Sequence, residues 1–123
     1  MKFLCLAYYD PGKFAALSPE ALQTLVSQCP AHDATLRASG ALRLQASLGD
    51  PAATRTLRPG SEKPSVTDGP FVETKEQVGG FFIIDAADMA EALRVAAKHP
   101  AALLGGHVGW AVEVRPVEYF EQY

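Results

Sequence analysis

The chain has 123 residues, 48% of them apolar, and a formal net charge of −3 at pH 7. That length supports one domain with one core, burying roughly two-thirds of the surface an unfolded chain exposes. The acidic balance, with a pI near 5.5, argues against nucleic acid or an anionic membrane as partner, because both need clustered Lys and Arg.

Phe3 to Tyr9 is almost wholly apolar, which predicts a central first strand covered on both faces. Its run Phe3-Leu4-Cys5-Leu6-Ala7 is shorter than a signal-peptide apolar region and lacks a cleavage site. No run approaches the ~20 apolar residues of a membrane span, so a soluble cytoplasmic protein is expected. Asp10-Pro11-Gly12 ends the strand. Ser18-Pro19-Glu20 then starts a helix: Ser caps, Pro suits the first helical position, and Glu complements the positive end of the dipole. Ala21, Leu22, Leu25, Val26 and Cys29 form its apolar stripe. Pro30 predicts a kink or restart. The pattern resumes through Leu36 and stops at Ser39-Gly40, where Gly can take a left-handed conformation.

Ala41 to Leu48 reads as the second strand. Gly49-Asp50-Pro51 turns the chain into an elaborated hairpin through Thr54-Arg55-Thr56-Leu57, with a turn at Arg58-Pro59-Gly60-Ser61. The run Gly79-Gly80-Phe81-Phe82-Ile83-Ile84-Asp85 is the next strand. Asp88 and Glu91 form a capping-box pair opening a second helix with stripe Met89, Ala92, Leu93 and Ala96, ending at His99-Pro100. In the last strand Trp110, Val112 and Val114 alternate with Ala111, Glu113 and Arg115, which sends the apolar set toward the helices and the charged pair to the opposite face. The C-terminal Glu118-Tyr119-Phe120-Glu121-Gln122-Tyr123 carries three aromatic residues, expected to pack on the domain or on a partner.

Chemistry-bearing residues concentrate around Thr67-Asp68-Gly69-Pro70-Phe71-Val72-Glu73-Thr74-Lys75-Glu76-Gln77. Asp-Gly-Pro is a forced turn, and Asp68 is either satisfied by local amides or poised for acid/base work near an apolar strand. Glu73 lies nearest that turn. His99, read at a helix C-terminus, is placed where the dipole favours imidazolium; the alternative is a capping His. His32, beside Asp33, reads as either a structural or a catalytic His. No compact metal-ligand spacing, nucleophile elbow or phosphate loop occurs, and Cys5 and Cys29 suit free thiols rather than a disulfide framework. Neither a cofactor nor a metal is expected.

The stretch Thr67 to Ile84, the helix ending at His99-Pro100 and the closing Ala111 to Val117 resemble the DGPF branch of the YCII-related proteins, over nearly the whole chain. The resemblance implies an α+β, ferredoxin-like antiparallel sheet with two helices on one face and an inserted hairpin, pairing as a homodimer into an α+β barrel. It also implies an acid/base pair, a His on the first helix and an Asp ahead of a Pro at the end of the second. His32 can match the first, but His99 stands at the Asp position, so the pair is not intact. Two functions remain open. One is an acid/base enzyme of lyase, isomerase or dehalogenase type acting on a small acidic metabolite, with Asp68, His99 and His32 catalytic and Arg115, Glu113 and Glu73 binding substrate. The other is a non-catalytic dimer that binds a ligand or a regulatory partner associated with an extracytoplasmic-function sigma factor. In either case Glu113, Arg115 and the Asp68 turn are expected to converge on one cavity, on the face of the sheet away from the helices.

Overall fold

A computed structural model describes residues 1–123. Strand β1 (Lys2–Tyr9) leads through a short helix α1 (Pro11–Ala15) to the long helix α2 (Pro19–Ala38) and strand β2 (Leu42–Ser47). A single 3-10 turn precedes the hairpin β3 (Arg55–Arg58) and β4 (Ser65–Asp68); then come β5 (Gln77–Asp85), α3 (Met89–Ala96), α4 (Pro100–Leu103) and β6 (Ala111–Pro116). The main sheet has the order β2-β5-β1-β6, every neighbouring pair antiparallel, and the hairpin forms a separate two-stranded sheet. This is the βαββαβ ferredoxin-like order, with the hairpin inserted between the second and third strands of the main sheet. No helix is long and apolar enough to cross a membrane.

Local chemistry explains the helix starts. Ser18 Oγ accepts from the Ala21 N–H and Pro19 takes the first helical position. Asp88 accepts from the Glu91 N–H while Glu91 accepts from the Ala87 N–H, both at 2.8 Å, so one of the helix's free amides and the amide just ahead of its cap are satisfied by the same pair. Gly40 closes α2 at φ 75°. Between these ends α2 runs through Pro30 without a restart. Buried Leu25 and Leu36 anchor the helix on both sides of the proline, and the carbonyl that Pro30 cannot serve belongs to exposed Val26.

The core lies on the helix face of the sheet. Phe3, Cys5, Phe82 and Ile84 are buried there against Leu36, Ala92, Val95 and Ala96. Burial in this apolar setting pushes the Cys5 thiol up to about 12. The second face of β1 is not covered: Leu4 and Leu6 remain half-buried. Antiparallel register sets two rows across that open face, Arg115–Leu4–Ile83–Leu44 and Glu113–Leu6–Phe81–Ala46. Asp85 sits at its edge, bridging Lys2 at 2.6 Å and Arg43 at 2.5 Å, and these cations, Lys2 first, hold its carboxyl below the usual range. At the C-terminus Phe120 lies beneath the Lys2 ammonium, 5.4 Å from ring centre, whereas Tyr119 and Tyr123 are exposed and do not pack on the domain, one of the two placements expected for them.

Strand β2 carries a bulge between Leu42 and Leu44. Leu42 therefore packs with the core, Leu44 and Ala46 pair across the open face with Ile83 and Phe81, and Gln45 and Ser47 fall on the helix face opposite Phe82 and Gly80.

Candidate functional site

Side-chain size tapers along the helix face. The row Phe3–Ile84–Leu42 is followed by Cys5–Phe82–Gln45 and then Ala7–Gly80–Ser47. In that last row three small residues span the strands, and the space above them is a cleft of about 660 Å³. Gly80 cannot be enlarged, because a Cβ there would meet the Ala46 carbonyl oxygen at 2.9 Å. The floor is thus kept low by backbone packing as well as by composition.

Aromatic residues wall the cleft on one side. Tyr9 lies over Gly79, where a Cβ would come within 2.8 Å of its ring, and packs edge-on against Phe14 at 5.9 Å. Trp110 presses on Gly105, whose φ is 69° and whose absent Cβ would stand 2.4 Å from the indole. Both glycines are required by these close approaches, the second also by its left-handed backbone.

Much of the polar part of the lining comes from two helices. Cys29, Asp33 and Arg37, each one helical turn apart, line the cleft from α2. His99 faces the same space as the N-cap of α4: its Nδ1 accepts the Ala101 N–H at 3.0 Å. Its ring stacks on the fully buried Phe82, centroids 4.6 Å apart and 4° from parallel. Helix α3 has already ended at Ala96, so His99 stands at a helix start, not the helix C-terminus the sequence suggested. That reversal changes its chemistry. An Nδ1 that accepts from an amide must keep its lone pair, so the ring is neutral and carries its proton on Nε2. Burial pushes the His99 pKa down, against a smaller upward pull from Asp33. Burial and then Asp33 push the Cys29 thiol up.

Residues 1–120 match the YCII-related domain. The chain belongs to the YCII-related domain family. Over 93 residues it is 37% identical to an uncharacterised protein of Rhizobium meliloti (strain 1021), covering 76% of this chain and 75% of that one. Among solved structures it is similar to 5-chloro-2-hydroxyhydroquinone dehydrochlorinase from Burkholderia phenoliruptrix AC1100, in complex with 2,5-dihydroxybenzoquinone. That likeness covers 98% of this chain and 96% of the other, at 19% identity and a TM-score of 0.49.

Of the residues singled out in the sequence, this YCII-related domain brings only His99 to the cleft. His32 is half-buried on α2, one position from the cleft-lining Asp33. Asp68 ends β4 and is paired with Arg55 at 3.0 Å with its side chain 89% exposed; it makes no bond to the local amides. Glu73 is exposed in the loop before β5. Glu113 accepts from the Tyr8 hydroxyl at 3.0 Å on the open face of the sheet, a bond that pushes the Tyr8 pKa up. Arg115 occupies the neighbouring row of that face. None of Glu113, Arg115 and Asp68 lines the cleft: the first two lie on the open face of the sheet, where they were expected, and Asp68 ends the separate hairpin.

Asp33 and Arg37 are what the sequence reading passed over. The signal was present: Asp33 falls four residues after Cys29, which itself lies four after Leu25, so a charge interrupts the inward stripe of α2. The acid/base residue types that the resemblance places on the first helix and ahead of the proline are both here, with positions exchanged. Asp33 is on α2 and His99 precedes Pro100.

Proposed function

We propose that this YCII-related protein is an acid/base enzyme of the lyase, isomerase or dehalogenase type, acting on a small acidic metabolite in the cleft between α2, α4 and the sheet. The observation that carries this reading is a carboxylate and a half-buried neutral imidazole, Asp33 and His99, lining one cleft from separate helices. Such a pair suits removal of a proton from carbon next to a carbonyl. Asp33 takes the proton, and charge moves onto the carbonyl oxygen, which His99 Nε2–H stabilises as a donor. Return of the proton at another carbon completes an isomerisation; departure of a leaving group completes an elimination. The stack on Phe82 and the bond to Ala101 fix the imidazole plane, the pre-organisation this chemistry needs.

The protein pairs through the open sheet face in this reading, burying the Leu4–Ile83–Leu44 and Leu6–Phe81–Ala46 rows against a second copy as an α+β barrel. Glu113 and Arg115 then lie inside that interface.

The test is hydrogen exchange of candidate substrates in deuterated water, followed by proton NMR over a panel of 2-oxoacids, 4-oxoacids and carboxylated lactones. Wild type is expected to wash out one carbon-bound proton from at least one compound, and Asp33→Asn and His99→Gln to slow this by about 10²-fold or more. Unchanged exchange in both variants, or none with any compound, removes the enzyme reading. One feature favours a second function, a non-catalytic dimer serving a regulatory partner such as an extracytoplasmic-function sigma factor. The hairpin and the loop after it leave Leu57, Val66, Phe71 and Val72 exposed, an apolar surface suited to a protein contact.

A further inference from the structure

We infer that Arg37 is the residue that reads the substrate's acid group, and that the cleft is built for a carboxylate carried on a flat, largely apolar body about one helical turn long. This rests on the cleft being the functional site. Arg37 is the only Lys or Arg among the cleft-lining residues. Of the other arginines, Arg43 is engaged with Asp85 and the Gly40 carbonyl, Arg55 with Asp68, and Arg58 over the Phe71 ring at 4.7 Å, while Arg94 sits on α3 outside the cleft. Arg115, the sequence-level candidate for this role, lies on the opposite face of the sheet. Arg37 makes no ion pair and no side-chain hydrogen bond within the chain, not even to Asp33 one turn away. Its planar fork of donors is free to take a carboxylate bidentately.

The spacing sets the shape of the ligand. Four residues of helix separate Asp33 from Arg37, a rise of about 6 Å. With its carboxylate on Arg37, a ligand presents to Asp33 a carbon several bonds away, across a six-membered ring or a four-carbon chain. The body between rests on Ala7 and Gly80 and against Tyr9, Phe14 and Trp110, surfaces that favour a flat apolar ring over a hydrated one.

Benzoate and its neutral isostere benzamide test this directly, with the His99 ring resonances of isotopically labelled protein as the reporter of cleft occupancy. Benzoate is expected to bind wild type more tightly than benzamide. Arg37→Gln is expected to weaken benzoate by roughly ten- to a hundredfold, the worth of a charged hydrogen bond, while leaving benzamide unchanged. Arg37 is exposed and unpartnered, so equal thermal midpoints for variant and wild type verify that folding is intact. If both probes move the His99 resonances but Arg37→Gln changes neither affinity, the Arg37 assignment falls and the cleft reading stands. If neither probe moves them up to its solubility, both fall.

Discussion

His99 carries a structural and a chemical role that substitution can separate. As N-cap of α4 it satisfies the Ala101 N–H, and loss of such a cap costs about 1 kcal/mol; its parallel stack on Phe82 adds about 1 kcal/mol. His99→Ala removes both, a loss of about 2 kcal/mol, which lowers the midpoint of a domain this size by about 8 °C. Asparagine is among the best N-caps, so His99→Asn keeps the first contribution and is expected to fall by only about 4 °C. Both variants lose the Nε2–H donor and are expected to lose turnover alike. The pH dependence gives an independent readout. Since burial lowers the folded-state pKa of His99, the unfolded chain takes up its proton first, near pH 6.5. The associated stability is complete above that pH and is lost as pH falls from there toward the folded pKa. His99→Asn lacks this acid limb. Calorimetric midpoints between pH 5 and 8 decide the matter: if Asn is no better than Ala, or if the difference between wild type and Asn does not shrink below pH 6.5, the neutral capping imidazole is wrong.

Gly105→Ala is expected to destabilise by about 2 kcal/mol or more, combining left-handed strain with an overlap on Trp110, and to perturb indole fluorescence because the ring must leave its place on the cleft wall. Valine at that position should be worse still; an unshifted emission maximum in a folded Gly105→Ala variant contradicts the contact. Thiol titration at pH 8 should modify Cys29 slowly and Cys5 only on unfolding, since burial pushes the Cys5 thiol up to about 12, and a bound cleft ligand should protect Cys29. Equal rates for the two thiols in native protein would contradict the burial pattern.

The parts of this fold that were legible in the sequence are those decided within a few residues. Ser18-Pro19-Glu20 and Asp88 with Glu91 start helices because caps are local hydrogen bonds, and Val112 and Val114 alternate with Glu113 and Arg115 because a strand has period two. What was not decided locally depended on the rest of the molecule. Pro30 stays in α2 because Leu25 and Leu36 are both buried against other elements, a tertiary gain that exceeds the local preference for a break. His99-Pro100 was equally compatible with an end and a beginning, and only a new helix over Pro100–Leu103 makes it the latter. The short helix α1 went unseen for a related reason: Asp10 accepts from the Gly12 and Lys13 amides, a cap that also reads as a simple turn. The cleft lining was harder to read, because the carboxylates dense in sequence, Asp68 and Glu73, lie on the hairpin and its loop, while the charged lining is scattered along α2 and completed by α4.

The bulge in β2 has a bearing on how such a pocket diversifies. From Leu42 to Leu48 the chain alternates apolar and polar without a fault, so an uninterrupted pairing would turn Leu44 and Ala46 toward the cleft and Gln45 and Ser47 outward. One supernumerary residue inverts that assignment beyond Leu42, giving the pocket an amide and a hydroxyl and the outer sheet its apolar rows. A single-codon insertion or deletion near residue 43 in a relative would therefore re-tile both surfaces together without changing any residue type, a form of divergence that percentage identity does not register.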